Sequence, residues 1–178
     1  MEYRLASQHF EKFLSEVAEE AGLATRNQAY TTTQGVLLCF RRRLKIHDAI
    51  AFAQVLPAML RALFVNDWDP EEAQVESWNR EILTSEVQQL RLDHNFSPDT
   101  AIENVACVVR RHVDAPEFQR CLAKLPPPAR LSGHKRCLLR HVWHKSVPPQ
   151  ARAGIQEAAR CANFSTTGAF TANSIQIS

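Results

Sequence analysis

Four residues near the end of the chain, His134, Cys137, His141 and His144, are of the types that bind zinc or copper. On a helix, at about 100° per residue, they fall within an arc of about 80°. His141 and His144 are three apart, and Cys137 and His141 four apart, spacings that place two ligands on one ion. All four cannot share an ion, because ten residues of helix span about 15 Å. A complete site would need His112, Cys121 or a second chain. The competing reading is a polar face in a basic segment, beside Lys135, Arg136, Arg140 and Lys145. That reading is preferred, since sharing a face is not coordination, and no metal ligand or cofactor is assigned.

A second cluster is Arg41, Arg42, Arg43 and Lys45, echoed by Arg110 and Arg111. Cations at a helix C-terminus complement its dipole and reach its open carbonyls. A phosphate- or nucleic-acid-binding stripe is the alternative, but few aromatic residues flank the arginines for base stacking. Catalytic signatures are missing: no Gly-rich phosphate loop, no G-x-S-x-G, no H-E-x-x-H. The pairs Glu19-Glu20 and Glu71-Glu72 fall on exposed faces or turns, whereas acid–base catalysis needs buried, convergent groups. No catalytic residue is assigned. Trp68 and Trp78 are expected to anchor a linker on the core.

The 178 residues suit one domain, and 45% hydrophobic with 22% charged residues excludes a disordered chain. No apolar run approaches the ~20 residues of a membrane span, and the N-terminus lacks a signal-peptide pattern. Residues 1–124 carry 14 Lys and Arg against 18 Asp and Glu, and residues 125–178 carry 7 against 1. A basic C-terminal third is compatible with nucleic acid or an acidic protein face. The cysteines, Cys39, Cys107, Cys121, Cys137 and Cys161, are odd in number and lack a C-x-x-C pair. They are expected as reduced thiols in a cytoplasmic protein.

Apolar spacing predicts helices throughout. Phe10, Phe13, Leu14, Val17, Ala18 and Ala21 form one stripe, stopped by Gly22. Thr33, Val36, Leu37, Phe40 and Leu44 form a second. A third, from about His47 to Phe64, is interrupted by Pro57 and should split or kink. Trp78, Ile82, Leu83, Val87 and Leu90 give a fourth. Ser97-Pro98-Asp99 reads as a helix start before Ile102, Val105, Ala106, Val109 and Val113. Pro116 opens a short helix that Pro126-Pro127-Pro128 stops.

An offset of 69 residues matches Arg41-Arg42 to Arg110-Arg111, Asp48 to Glu117 and Leu56-Pro57 to Leu125-Pro126. The order of features suggests a duplicated helical unit. The expectation is an all-α bundle over residues 1–147. Its repeats cover about 7–70 and 78–131, a further helix 132–145, and a poorly ordered tail 148–178. Arg41–Pro57 and Arg110–Pro126 should superpose, with Phe40 and Val109 both buried.

Val36-Leu37, Phe40-Arg41, Arg43-Leu44, Asp48-Ala49, Leu56-Pro57, Leu60-Arg61, Phe64, Trp68 and Pro70 resemble the bacterial and archaeal family catalogued as domain of unknown function 2267. The second half is similar in Val105, Arg111-His112-Val113, Glu117, Leu125-Pro126 and Arg130. The resemblance covers about Phe10 to Leu131. The chain departs where the family has glutamine before Leu-Pro; here that place is Val55. The resemblance implies an all-helical fold of two related repeats and implies no activity.

Together these features point to a non-enzymatic helical module acting through a protein partner or self-association. A nucleic-acid-associated protein using the basic third, and a metal-binding helix at Cys137–His144, are the alternatives.

Overall fold

Gly22 ends the first helix in the left-handed conformation, φ +66°. Its N–H donates to Glu19 O and that of Leu23 to Ala18 O, at 3.4 and 2.8 Å. This closes the last turn of α1 (Glu2–Ala21) in the two-bond cap that glycine permits. The computed structural model describes residues 2–90 and 97–130. All of them lie in the first of the two units into which the chain divides, Met1–Cys137 and Leu138–Ser178.

Thr25 and Gln28 start α2 (Arg26–Arg41) by a reciprocal capping box, which satisfies two of its orphan donors. The helix therefore begins a full turn and more before the stripe that opens at Thr33. It is the centre of the fold, packing against α1, α4, α5 and α6. Thr31, Thr32, Thr33 and Gly35 are buried on it. A Cβ on Gly35 would lie 3.2 Å from both Cγ1 and the carbonyl oxygen of Val87, so glycine sets how closely α5 (Arg80–Gln89) approaches.

Pro57 splits the third apolar segment, as its missing donor requires, into α3 (Ile46–Gln54) and α4 (Ala58–Val65). Arg61 stitches the joint, donating to the carbonyls of Ala53, Gln54 and Leu56 at 3.0, 3.1 and 3.1 Å. Ala53 and Gln54 close α3, where carbonyls run out of intrahelical donors; Ala53 O also accepts from Leu56 N, and Leu56 lies in the connection to α4. Ile50 and Ile82, which the stripes place with the core, are instead about half exposed.

Ser97 does not cap the next helix. Its hydroxyl is buried, 2.8 Å from that of Thr32 on α2, and α6 (Ala101–His112) begins four residues later, after Thr100. A tertiary partner has taken the oxygen that a cap would use. Helix α6 lies against α1, α2, α5 and α7, so Asn104, Cys107 and Val108 are buried in addition to Val105 and Val109. Asp114, accepting from Glu117 N, starts α7 (Ala115–Lys124), with Pro116 in its first turn. The triple proline does stop α7. Pro127 then opens a short α8 (Pro127–Arg130), a position where its fixed φ is favourable.

Helices α3 and α7 start at Ile46 and Ala115, and α4 and α8 at Ala58 and Pro127. Both spacings equal the offset seen in the sequence. The preceding helices differ in length and end point, at Arg41 and His112. Val109 is buried, but Phe40 is only half-buried. Its ring meets Phe52 at 4.8 Å and Trp78 at 5.9 Å and lines an apolar cavity of about 70 Å³. The described residues contain no strand, and no helix among them is long and apolar enough to cross a membrane. The region is all-α.

Candidate functional site

The first turns of α1 and the start of α4 enclose the larger cavity, about 320 Å³, a size in the range of binding pockets. Leu5, Phe10 and Phe13 line it from α1, and Pro57, Met59 and Leu60 from α4. His9 and His112 supply its imidazoles. The Phe10 and Phe13 rings stack at 6.3 Å, and His112 meets Phe13 edge-on at 5.4 Å. Nε2 of His112 lies 3.2 Å from Glu16 Oε2. Leu5 and Met59 are 53% and 38% exposed at the rim.

The outer face of α4 continues this apolar surface. Ala58, Met59, Ala62 and Val65 are all exposed, and the spacing puts them on one face. Arg61, at the edge of that face, is occupied by the carbonyls of Ala53, Gln54 and Leu56. No acidic residue stands in the first turn of α4, and no side chain caps it. The signal was present in the sequence: Ala58-Met59 and Ala62 with Val65 put apolar residues on the opposite side from Leu60, Leu63 and Phe64, leaving α4 apolar nearly all round.

The arginines expected as a cap or a phosphate stripe are internal fasteners. Arg41 is buried and donates through Nη1 to Phe64 O and Asn66 O, at 2.7 and 3.0 Å. Its guanidinium lies 5.4 Å from the centre of the Trp68 ring. Burial lowers its pKa from the ordinary arginine value. Arg42 pairs with Glu72 at 2.7 Å. Arg43 is fully buried and grips both Glu86 oxygens, at 2.9 and 2.8 Å, and donates to Cys39 O and Ser77 O. Arg110 stacks over Phe118 at 5.5 Å, with its pKa lowered by burial. Arg111 pairs with Glu20 at 2.6 Å and lies 3.7 Å from Glu16. The carbonyls reached by Arg41 belong to the end of α4 rather than to its own helix. Trp68 and Trp78 pack from the linker onto the core, as expected.

His134, Cys137, His141 and His144 lie outside the described residues. So do the expected helix 132–145 and nearly all of the basic third. His112 and Cys121, the supplementary ligands considered for them, sit on α6 and α7. Among the described residues no group of three His, Cys, Asp or Glu is placed to hold a metal ion.

Cys39 and Cys121 are free and buried. Burial, then the neighbouring Glu86 charge, pushes the Cys39 thiol up to about 12; burial also raises Cys121. Both are poor nucleophiles. Cys107 corrects the expectation of reduced thiols throughout, because it is disulfide-bonded. An odd count excludes complete pairing and still permits one bridge.

The geometry defines a class: all-helical proteins whose charged groups on α2 and α6 fasten helices together, and whose open surface on α4 is apolar. The family model of the uncharacterized conserved proteins DUF2267 matches residues 10–131, and the chain belongs to that family. A comparison with curated proteins finds no match.

Proposed function

We propose that the chain is a non-enzymatic protein-interaction module, built of two related helical units, that takes an apolar helical surface on α4 and the adjoining groove. The observation that carries this reading is the exposed face Ala58, Met59, Ala62 and Val65, continuous at Met59 with the groove rim at Leu5. Contiguous exposed apolar surface marks interaction sites, whereas scattered single residues do not. The arginine clusters argue against a phosphate-binding alternative on α2 and α6, since Arg41 and Arg43 are buried on protein acceptors.

A photo-cross-linking side chain in place of Ala62, in the producing cell, tests the reading. A defined protein adduct is expected there and not at the exposed Gln119 of α7. Absence of any protein adduct at position 62 rejects an interaction surface on α4.

A further inference from the structure

We infer that the cavity between α1 and α4 binds a small, neutral, two-ring aromatic molecule with one hydrogen-bond donor, of the indole type. The inference goes beyond the interaction reading, since it needs the cavity filled and not the outer face of α4 covered.

Size sets the number of rings. An apolar cavity of about 150 Å³ takes one benzene ring. The cavity here, about 320 Å³, has about twice that room and suits two fused rings. Water filling the same space, at about 30 Å³ each, would number about ten molecules, each needing about two to four polar partners. Among the described residues the wall is apolar in its side chains except for the imidazoles of His9 and His112. An apolar ligand therefore displaces water that the wall holds poorly, which favours binding.

The wall selects the class. The parallel rings of Phe10 and Phe13 form one side with Leu60, and aromatic pairs gain beyond the area that they bury. Met59, 38% exposed at the mouth, adds a thioether, which favours contact with a ring. No Lys, Arg, Asp or Glu is among the described residues that line the space, so a charged ligand would lose its hydration there for little return. His112 sets the donor. Its Nε2 lies 3.2 Å from the Glu16 carboxylate, which only accepts, so Nε2 carries the hydrogen and Nδ1 of the neutral ring is an acceptor. An N–H on the ligand complements it.

The chain has two methionines, Met1 and Met59, so NMR of methionine methyl groups reports the mouth of the cavity directly. Titrating the full chain with indole should shift the Met59 methyl saturably, with a Kd of about 100 μM or tighter. Benzothiophene has the same two rings and no N–H, and should bind at least about fivefold more weakly. His112→Phe should bring the two to equal affinity. Ala6→Phe, at a half-buried position on the wall, should fill the space and weaken indole at least about tenfold, with an unchanged helical circular dichroism spectrum. Indole-3-carboxylate should bind more weakly than indole. A Met59 methyl unmoved at about 2 mM indole, where such a site is saturated, overturns the inference, as does binding indifferent to Ala6→Phe. Benzothiophene equal to indole, or a carboxylate that binds more tightly, overturns the ligand class. If His112→Phe fails to fold, the benzothiophene comparison on the unaltered protein decides the donor. Failure of indole to bind leaves the cross-link expected at position 62 unaffected.

Discussion

Arg43 and Glu86, 43 residues apart in the chain, meet through two parallel hydrogen bonds of 2.9 and 2.8 Å. The guanidinium is fully buried, whereas 22% of the carboxylate side chain is exposed. The pair locks α5 to the end of α2, and the bond from Arg43 Nε to Ser77 O fixes the segment before α5. Removing one member of such a pair leaves a charge in low dielectric. Glu86→Gln is expected to cost about 3–5 kcal/mol, read from urea unfolding. Arg43→Lys should not rescue, since an ammonium cannot form the fork.

The same pair sets an acid limb. Hydrogen bonding from Arg43 is the main cause that holds the Glu86 carboxyl below its ordinary value. A carboxylate depressed by folding stabilises the fold fully above its unfolded pKa. That contribution is lost as pH falls from the ordinary carboxylate range through the folded value. Thermal melts between neutral pH and pH 3 should therefore fall less steeply for Glu86→Gln than for the unaltered protein. Parallel slopes would remove Glu86 as a source of acid sensitivity.

Cys39 should be silent to alkylation in the folded state. Its thiol is pushed up to about 12 and is 6% exposed, so at pH 8 both thiolate and access are lacking. Iodoacetamide labelling followed by peptide mass spectrometry should show Cys39 modified only as fast as the protein opens, and promptly in denaturant. Rapid labelling without unfolding would contradict the burial.

Ser97 and Thr32 offer a coupled test of a misleading sequence signal. Ser97→Ala should leave the Thr32 hydroxyl short of a partner and cost about 1–3 kcal/mol. Adding Thr32→Val should recover part of that loss, and helix content should stay the same in both. A drop in helicity on Ser97→Ala would restore the serine to a capping role.

Gly35→Ala sets two effects against each other. Helix propensity favours alanine by about 1 kcal/mol, whereas the added Cβ presses on the Val87 backbone and side chain at 3.2 Å. Backbone on the facing helix yields poorly, and overpacking costs about 1–3 kcal/mol. Net destabilisation is expected, partly relieved by Val87→Ala. A more stable Gly35→Ala protein would show that α5 can move aside.

The sequence revealed what depends on near neighbours. Gly22 stops α1 because of its own φ, and Pro57 divides α3 from α4 because of its own ring. Two local signals were legible and overlooked: Thr25 with Gln28, and Asp114 with Glu117, both at capping-box spacing. The remainder depends on distant partners. Nothing near Ser97 shows that Thr32 will occupy its hydroxyl, and nothing near Arg43 points to Glu86. The groove joins residues of α1, α4 and α6; only the apolar outer side of α4 could have been read beforehand.

Glu20 on α1 and Arg111 on α6 are 91 residues apart and lie 2.6 Å apart in the fold. At about 5–20 residues per second of synthesis, roughly 5–20 s separate their appearance. The helix made first therefore waits for the one that completes its packing. Phe13, Leu14 and Val17, all buried in the finished fold, are without α6 during that interval. A nascent chain released before Arg111 emerges carries an adhesive N-terminal helix, the kind of segment that chaperones hold.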